Sequence, residues 1–322
     1  MKTRITELLG IEYPIVQGGL QWLATAEFCS TVSNSGALGI INATIHANKE
    51  SLVNEIRKIK SLTDKPFGVN ISMLPHSEND LTAQYMEAVI EEKVPVIETS
   101  GRNPQPYVAA LKSAGVKIIH KIPAVRFASK AQEAGVDAVT IVGFECGGHP
   151  GLDDVTTLAL IPKAAQRLSI PVIAGGGFAG GHGLLSALAL GAEAVAMGTR
   201  FVATTECSIH DNFKQWMLKA NETDTTLILR SLRNPMRVMK NQASQKVQQM
   251  ENEGASLQDL MPIIGGQVNR ALQQKGDTEN CIFAMGQAVG CINSVLSVQD
   301  VVEEVMVGAR ANLALLNKRQ CI

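Results

Sequence analysis

The sequence has no long apolar run, no closely spaced cysteine pair and almost no net charge. No segment approaches the roughly 18 apolar residues that cross a membrane, and the start, Met1 to Glu7, lacks the apolar core and cleavage site of a signal peptide. The net charge of -1 gives no reason to expect nucleic acid as a partner. The six cysteines show no C-x-x-C spacing, which favours reduced thiols over a metal site. These absences predict a cytoplasmic protein without a bound metal or a membrane span.

What the sequence does contain is a series of β-rich apolar runs, each ending in small or polar residues. Segments with helically spaced apolar residues separate them, including Ala24 to Ser35, Lys49 to Leu62, Gln105 to Ala114 and Gly183 to Leu190. Eight such units in about 210 residues match a (β/α)8 barrel better than an open parallel sheet. The predicted strands are Pro14 to Gln17, Ala37 to Ile41, Phe67 to Ile71, Val94 to Thr99, Lys117 to Lys121, Ala138 to Val142, Val172 to Gly175 and Ala194 to Gly198.

The amino-acid composition changes after about residue 208, where Gln, Met, Lys and Asn replace the Val, Ile and Gly of the barrel units. Lys214 to Ala220 and Pro235 to Asn252 have the pattern of polar, amphipathic helices. We predict a barrel formed by residues 1–209 and 281–322, with a helical subdomain inserted at 210–280. Asp300 to Lys318 is predicted as the helix that closes the barrel wall. The insert serves either as a lid or as a packing element, including a homodimer interface.

A glycine-rich run, Gly143 to Gly151, follows the sixth predicted strand and contains His149. Gly147 and Gly148 precede the imidazole and give a backbone that can pack closely around a planar or anionic ligand. In a parallel barrel, the loops at the carboxyl ends of the strands form the active site. We therefore predict that His149 is catalytic. The alternative is that it only pins its loop, but the surrounding glycines offer little to pack against.

Glycine clusters also follow the seventh and eighth predicted strands. Gly175, Gly176 and Gly177 end one strand, and Gly198 with Thr199 ends the other. A tight turn explains one such cluster, but two at adjacent strand ends indicate backbone amides gathered around a phosphate. Barrels commonly bind phosphate at this place.

The first strand ends in Gln17 to Trp22, where Gly19 allows a flat ring to approach the backbone and Gln21 offers an amide donor and acceptor. A flavin suits such a floor, because its pyrimidine edge presents alternating donors and acceptors. On the third strand, Asn70 and Ser72 alternate onto one face, which we expect to point inward. The alternative is that both are satisfied polar residues within the barrel layer.

Lys121 ends the apolar fifth strand at the same edge of the barrel. A lysine buried there needs an anionic partner, and a reduced flavin supplies one near its N1 position. The alternative is a lysine that extends to the surface. His120 is expected to point into the layer between strands and helices, where its role is structural.

Together these runs are similar in order to those of the nitronate monooxygenase family, formerly called 2-nitropropane dioxygenase. The resemblance covers nearly the whole chain and extends to FMN-dependent NADH:quinone reductases and enoyl-acyl-carrier-protein reductases. Gln21-Trp22 and Phe144-Glu145-Cys146 look closest to the quinone reductase branch. Two departures are Leu20, where Met is frequent, and Val142, where some relatives have an acidic residue. The matching runs are Gln17 to Trp22, Lys65 to Asn70, Gly147 to Gly151, Gly175 to Gly177 and Gly198 to Phe201.

The resemblance implies a (β/α)8 barrel with an inserted helical domain and one non-covalent FMN. It implies that His149 faces the substrate, and that Gly175 to Gly177, Gly198 and Thr199 hold the phosphate. Asn70 joins the flavin site from its position beside Ser72. The residues that the resemblance implies around the flavin are Gly19, Leu20, Gln21, Ser72, Lys121, Gly147 and Gly148.

One histidine beside a flavin permits several reactions. Our first interpretation is nitronate monooxygenase activity with O2, in which His149 removes the α-proton of a nitroalkane or hydrogen-bonds a nitronate. NAD(P)H:quinone reduction is a close alternative, and the absence of a G-x-G-x-x-G fingerprint does not exclude NAD(P)H as co-substrate. Enoyl-thioester reduction is a third, with Arg230, Arg233, Arg237 and Lys240 as a patch for the carrier protein, although a solvated helix face explains them as well. A non-catalytic flavin-binding regulator is the alternative from another class.

Overall fold

Eight parallel strands form a barrel in the computed structural model, which describes residues 1–73 and 80–319. The strands follow one another around the barrel in chain order from β2 to β8, and β1 pairs with β8. Backbone hydrogen bonds from Gln17 to Leu38 and from Leu38 to Ile15 close the barrel between β1 and β2. The predicted (β/α)8 barrel is confirmed, with every strand end within two residues of its predicted position. The strands are β1 Ile15–Gln17, β2 Gly39–Asn42, β3 Phe67–Met73, β4 Val96–Gly101, β5 Lys117–Ile122, β6 Ala138–Val142, β7 Val172–Gly175 and β8 Ala194–Met197.

Helices follow the strands along the chain, and their ends carry the expected capping residues. Asn48 and Ser51 form a capping box at the start of the helix predicted over Lys49 to Leu62, which has those bounds. Within the described residues, no helix has the length and hydropathy needed to cross a bilayer. The helices are α1 Arg4–Leu9, α2 Ala26–Asn34, α3 Lys49–Leu62, α4 Thr82–Glu91, α5 Gln105–Ser113, α6 Val125–Ala134, α7 Thr157–Arg167, α8 Gly181–Ala189, α9 Thr199–Val202, α10 Asp211–Lys219, α11 Gln242–Asn252, α12 Leu257–Ile264, α13 Gly266–Lys275 and α14 Val298–Lys318.

The barrel interior is apolar at the amino ends of the strands and polar at their carboxyl ends. A buried cluster that includes Val16, Ile40 and Ile119 fills the lower part, and Ile5 and Leu9 of α1 pack against it from below. Side chains alternate along a strand, so the next inward position lies two residues after each of these apolar strand residues. In several strands that position is polar. These upper inward residues are Asn42, Asn70, Glu98, Lys121 and Thr140.

Helix α14 packs closely against α8 and completes the outer ring. The contact depends on glycine, since a Cβ on Gly181 would lie 2.3 Å from the backbone nitrogen of Ala309. Val302 and Val305 are buried, as expected for the wall-closing helix predicted over Asp300 to Lys318. Leu313, which belongs to the same predicted apolar face, is 45% exposed, so the last turns of the helix extend beyond the core.

The segment 210–280 contains helices and also two strands. The helix predicted over Lys214 to Ala220 is confirmed by α10. The single helix predicted over Pro235 to Asn252 is wrong in its first part, where β10 (Met236–Met239) pairs antiparallel with β9 (Thr225–Ile228). Helix α11 begins only after Asn241, which caps it. The segment has a separate apolar cluster, to which Ile282 contributes from just beyond it; the members within the segment are Ile228, Leu229, Val238, Ala243, Val247 and Leu260.

Candidate active site

The glycine-rich ends of β1 and β8 lie side by side at the carboxyl edge of the barrel. A Cβ on Gly18 would lie 3.7 Å from the Cα of Gly198, and a Cβ on Gly198 would lie 3.5 Å from Cδ2 of Leu20. A Cβ on Gly19 would lie 3.0 Å from Oδ1 of Asn42, so a larger residue here would require the Asn42 side chain to shift. The structure thus brings together two predicted parts of the site, the floor after β1 and the cluster after β8.

Gln21 occupies a constrained position in the turn that follows β1. Its φ of 49° lies in the left-handed region, which non-glycine residues rarely adopt, and the Asn42 side-chain amide donates a hydrogen bond to its carbonyl at 3.1 Å. The Gln21 side chain is exposed. Backbone conformations of this kind persist only where the surroundings hold them, and they cluster at ligand sites. The geometry leaves the side-chain amide of Gln21 exposed, and its predicted contact with a ligand stays a prediction.

The loop after β7 presents unused backbone donors. Gly176 and Gly177 have φ values of 97° and 83°, and neither amide donates a hydrogen bond within the described residues. A Cβ on Gly176 would lie 3.1 Å from the backbone nitrogen of Cys146, so the loop after β6 packs directly against it. Free amides without side chains in front of them are the donors that phosphate-binding loops use.

Lys121 and Glu98 form an ion pair inside the barrel, with Nζ and Oε2 separated by 2.7 Å. The same Glu98 oxygen accepts a hydrogen bond of 2.7 Å from Nδ2 of Asn70. The side chain of Glu98 is 1% exposed and that of Lys121 26%. Glu98 therefore supplies the anionic partner of Lys121 that we had expected a reduced flavin to provide. The predicted inward orientation of Asn70 holds, since it contacts Glu98 from the neighbouring strand.

Ser72 continues the same polar face toward the mouth of the barrel. Its hydroxyl donates to Oδ1 of Asn70 at 3.2 Å and accepts from the hydroxyl of Ser100 at 3.1 Å. Two buried atoms of this region, Oε1 of Glu98 and Oγ1 of Thr140, have no hydrogen-bond partner within the described residues. Glu98 was not predicted as a site residue from the sequence. Its position in an apolar strand, two residues after the inward Val96, could have indicated it, because a carboxylate at an inward strand position needs a partner.

His149 lies in the loop after β6, and its side chain is exposed. Gly148 before it and Gly151 after it have φ values of 79° and 85°, so the loop turns sharply on both sides. The imidazole has no hydrogen-bond partner among the described residues. Nearby protein partly desolvates the exposed ring and lowers the pKa of His149 below its usual value. The ring is therefore mainly neutral at pH 7.

His120 contrasts with His149. It is buried on the outward face of β5, where one ring nitrogen lies 2.9 Å from Oγ1 of Thr99. Burial lowers the pKa of His120 to about 4. The prediction that His120 is structural agrees with this position.

The basic residues considered as a docking patch do not form a common surface. Arg237 is 3% exposed, and its guanidinium contacts the loop that carries His149. Arg230 pairs with Asp154 at 2.6 Å, while Arg233 and Lys240 are exposed. The patch prediction is wrong for Arg237, because a strand rather than a helix carries this residue and turns it inward.

Other candidate groups contribute less to the site. The described cysteines are free, and Cys146, next to Gly147, is held as a thiol because burial raises its pKa to about 12. No cluster of metal-ligating side chains occurs in residues 1–73 and 80–319. The Pro75 to Ser77 loop, considered as a nicotinamide or entrance loop, lies outside the described residues.

Comparisons with known proteins found a family model, curated relatives and solved structures that match most of the chain. A family model described as nitronate monooxygenase matches residues 2–308. The (3aS,4S,5R,7aS)-5-hydroxy-7a-methyl-1-oxo-octahydro-1H-indene-4-carboxyl-CoA dehydrogenase of Mycobacterium tuberculosis is 32% identical, over 97% of each chain. A probable nitronate monooxygenase of Staphylococcus aureus is 32% identical over 70% of this chain and 75% of its own. The solved structure of FabK from Thermotoga maritima is 37% identical, with a TM-score of 0.92 over 99% of each chain.

Proposed function

The chain belongs to the nitronate monooxygenase family of flavin oxidoreductases, and we propose that it uses FMN to oxidise nitroalkanes or their nitronates with O2, with His149 as the base. The observation that carries this proposal is the exposed imidazole of His149 in the loop after β6, which has no hydrogen-bond partner among the described residues. Desolvation lowers the pKa of this ring, which favours the neutral form that accepts a proton from a nitroalkane.

The residues at the barrel mouth fit FMN. The unused amides of Gly176 and Gly177, together with Gly198 and Thr199, would hold the phosphate, because they offer donors without side chains in front of them. The floor for the ring system would be Gly19, Leu20 and Gln21 from β1, with Gly147 and Gly148 opposite. Asn70, Ser72 and Lys121 would complete the site from inside the barrel.

Bound FMN would supply the redox chemistry, accepting electrons from the substrate and passing them to O2. The chain supplies binding, orientation and proton transfer. Lys121 is held in place by Glu98, so its ammonium keeps one orientation at the carboxyl end of β5. His149 would receive the α-proton of a nitroalkane on its free ring nitrogen, or donate a hydrogen bond to a nitro oxygen when the substrate arrives as the nitronate.

Anaerobic stopped-flow absorbance of the purified yellow protein, mixed separately with nitroethane, propyl nitronate, NADH and NADPH, tests the proposal. Rapid bleaching by the nitro compounds supports it. Bleaching by a nicotinamide alone would refute it and favour quinone or enoyl reduction, while a flavin that no donor reduces would point to a non-catalytic regulator.

Substitution of His149 tests the assignment of the base. We expect His149→Ala to retain FMN but lose turnover of neutral nitroethane, because no other described imidazole lies at this loop. His182→Ala is the matched control, since His182 is an exposed histidine at the start of α8. Full activity of His149→Ala with nitroethane would exclude the histidine as base.

A second candidate is oxidation or reduction of a CoA or carrier-protein thioester with a nicotinamide. The observation that favours it is the likeness to the carboxyl-CoA dehydrogenase of Mycobacterium tuberculosis over 97% of each chain. Addition of enoyl-CoA to the protein after reduction by NADH or NADPH distinguishes this candidate, because reoxidation without O2 would require a thioester acceptor.

We also propose that segment 210–280 is a subdomain that covers the site rather than a homodimer interface. Two contacts with active-site loops support this. The guanidinium carbon of Arg270 in α13 lies 4.4 Å from the centroid of the Trp22 ring, and β10 pairs with the loop that precedes His149 through Gly148. Light scattering of Arg270→Ala and wild type, alongside their substrate KM values, separates the two roles. A lid variant changes KM and stays in the wild-type oligomeric state.

A further inference from the structure

Arg237 contacts the His149 loop through its backbone. The amide of Gly148 donates to the carbonyl of Arg237 at 3.0 Å, and the amide of Arg237 donates to the carbonyl of Gly148 at 2.6 Å. The carbonyl of Arg237 also accepts from the amide of Met285 at 3.3 Å. Arg237 therefore fixes the residue directly before His149 and joins it to the neighbouring 285–287 turn.

The side chain of Arg237 holds the other end of the same loop. Nε and Nη2 both donate to the carbonyl oxygen of Phe144, at 3.1 and 3.0 Å, and Nη1 donates to Oγ1 of Thr225 at 3.2 Å. The guanidinium carbon lies 4.5 Å from the centroid of the Phe144 ring, a distance that allows a cation–π contact. One residue thus holds both Phe144 and Gly148, which bound the loop.

This arrangement is costly for folding alone. The side chain is buried, and no carboxylate forms an ion pair with it within the part of the chain that the structure describes. A buried cation satisfied only by a carbonyl, a hydroxyl and a ring has a large desolvation cost and a limited return. Replacement by an apolar side chain of similar length would avoid that cost, so stability does not explain the arginine.

Other contacts also hold the 144–148 loop: the amide of Phe144 donates to the carbonyl of Val155 at 2.9 Å, and the Glu145 carboxylate accepts from the amide and the hydroxyl of Thr157 at 3.1 and 2.8 Å. Arg237 joins the loop to the inserted segment. Gly147 approaches the 285–287 turn so closely that a Cβ would lie 2.8 Å from the nitrogen of Gly286, and the His149 imidazole has no hydrogen-bond partner in residues 1–73 and 80–319. The direction of the His149 ring therefore depends on where the backbone of residues 144 to 148 is held. A displacement of about 1 Å of a catalytic group costs on the order of a hundredfold in rate.

We propose that Arg237 is a positioning residue that holds the 144–148 loop from the inserted segment and so directs His149 toward the substrate. This inference rests on the proposed role of His149. It also makes the inserted segment a working part of the site, because β10 lies within residues 210–280.

The test compares Arg237→Lys with Lys240→Met, using the FMN-loaded protein. A lysine keeps the charge but cannot donate to Phe144 and Thr225 together, because its ammonium lacks the planar fork. Lys240 is exposed directly after the same strand. With neutral nitroethane, whose α-proton the base must remove, we expect Arg237→Lys to lower kcat roughly 10- to 100-fold, with KM changed less, and Lys240→Met to match wild type.

Amide hydrogen exchange of the peptide that covers residues 143–149 gives a readout independent of turnover. Exchange at Gly148 should become on the order of tenfold faster in Arg237→Lys and remain unchanged in Lys240→Met. Should Arg237→Lys fail to fold, Thr225→Val removes one side-chain bond and should shift exchange in the same direction by a smaller factor. Unchanged exchange in the variants that fold overturns the inference.

A double-mutant cycle separates positioning of His149 from a general structural role. If Arg237 acts through the imidazole, Arg237→Lys costs less than about twofold when added to His149→Ala. Multiplicative losses would overturn the inference. If His149→Ala alone is fully active, the proposed function fails, while the exchange data still decide whether Arg237 orders the loop.

Discussion

The ion pair between Glu98 and Lys121 should contribute measurably to stability, and Glu98→Gln tests its contribution with almost no change in shape. At 2.7 Å and an effective dielectric constant of about 20, the attraction between the two charges is about 6 kcal/mol. Desolvation of the two ions offsets a large part of this. Because Glu98 is buried and Lys121 keeps 26% exposure, we take the low end of the range for breaking a buried pair, about 3 kcal/mol.

Thermal unfolding measures this loss. For 322 residues, the unfolding entropy is roughly 0.7 kcal/mol/K, so about 3 kcal/mol corresponds to a Tm decrease of about 4 °C. Glu87→Gln is the matched control, since Glu87 contacts Lys49 with 62% of its side chain exposed and should leave the Tm within about 1 °C. Adding Lys121→Met to Glu98→Gln should recover at least about half of the decrease, because it removes the uncompensated charge.

Equal Tm values for Glu98→Gln and Glu87→Gln would refute this reasoning, because they would mean that the buried charge pair contributes no more than an exposed one. A further decrease on adding Lys121→Met would show that packing of the lysine side chain, rather than its charge, is what the barrel needs.

Three further predictions concern the site and the barrel wall. Because desolvation lowers the pKa of His149, kcat/KM for nitroethane should rise with pH below about 6.5 and be level at pH 7. A pH profile of kcat/KM with its midpoint above pH 7 would contradict a neutral base. Gly176 has a φ of 97°, which alanine adopts only with strain, so Gly176→Ala should reduce the FMN content measured by absorbance. Gly180→Ala is the control, because a Cβ there meets no atom within 4 Å, and it should keep the wild-type FMN content. Equal FMN content in the two variants would argue against the phosphate site. Gly181→Ala should lower the Tm, because its Cβ would push α8 away from α14. Gly266→Ala is the control and should leave the Tm unchanged, because a Cβ there meets no atom within 4 Å. Equal Tm values for the two variants would show that the helices separate without cost.

The sequence alone determined the barrel and predicted, from the strand ends, where a site would lie. Strand runs such as Ala138 to Val142 carry enough β-branched and small apolar residues to be located correctly. The glycine clusters predicted after β7 and β8 lie at the ends of those strands, where Gly176 and Gly177 have positive φ values. These features are local, since they depend on residues close together in the chain. The prediction that His149 is catalytic uses the same kind of local signal, because its loop begins where a parallel strand ends, and it stays a prediction.

The tertiary structure decided which side chains meet across strands and segments. Glu98 and Lys121 lie on adjacent strands of the barrel, and only strand register brings their charges together. Arg237 lies 88 positions after His149 in the sequence. The residues around it have a helix-like pattern, but they form the strand β10, which pairs with Thr225–Ile228. Pairing partners and buried ionic contacts depend on long-range packing, which overrides local propensity. The local pattern of the chain thus determined the barrel and suggested the candidate site, and its long-range contacts determine how the charged groups at the carboxyl ends of the strands are held.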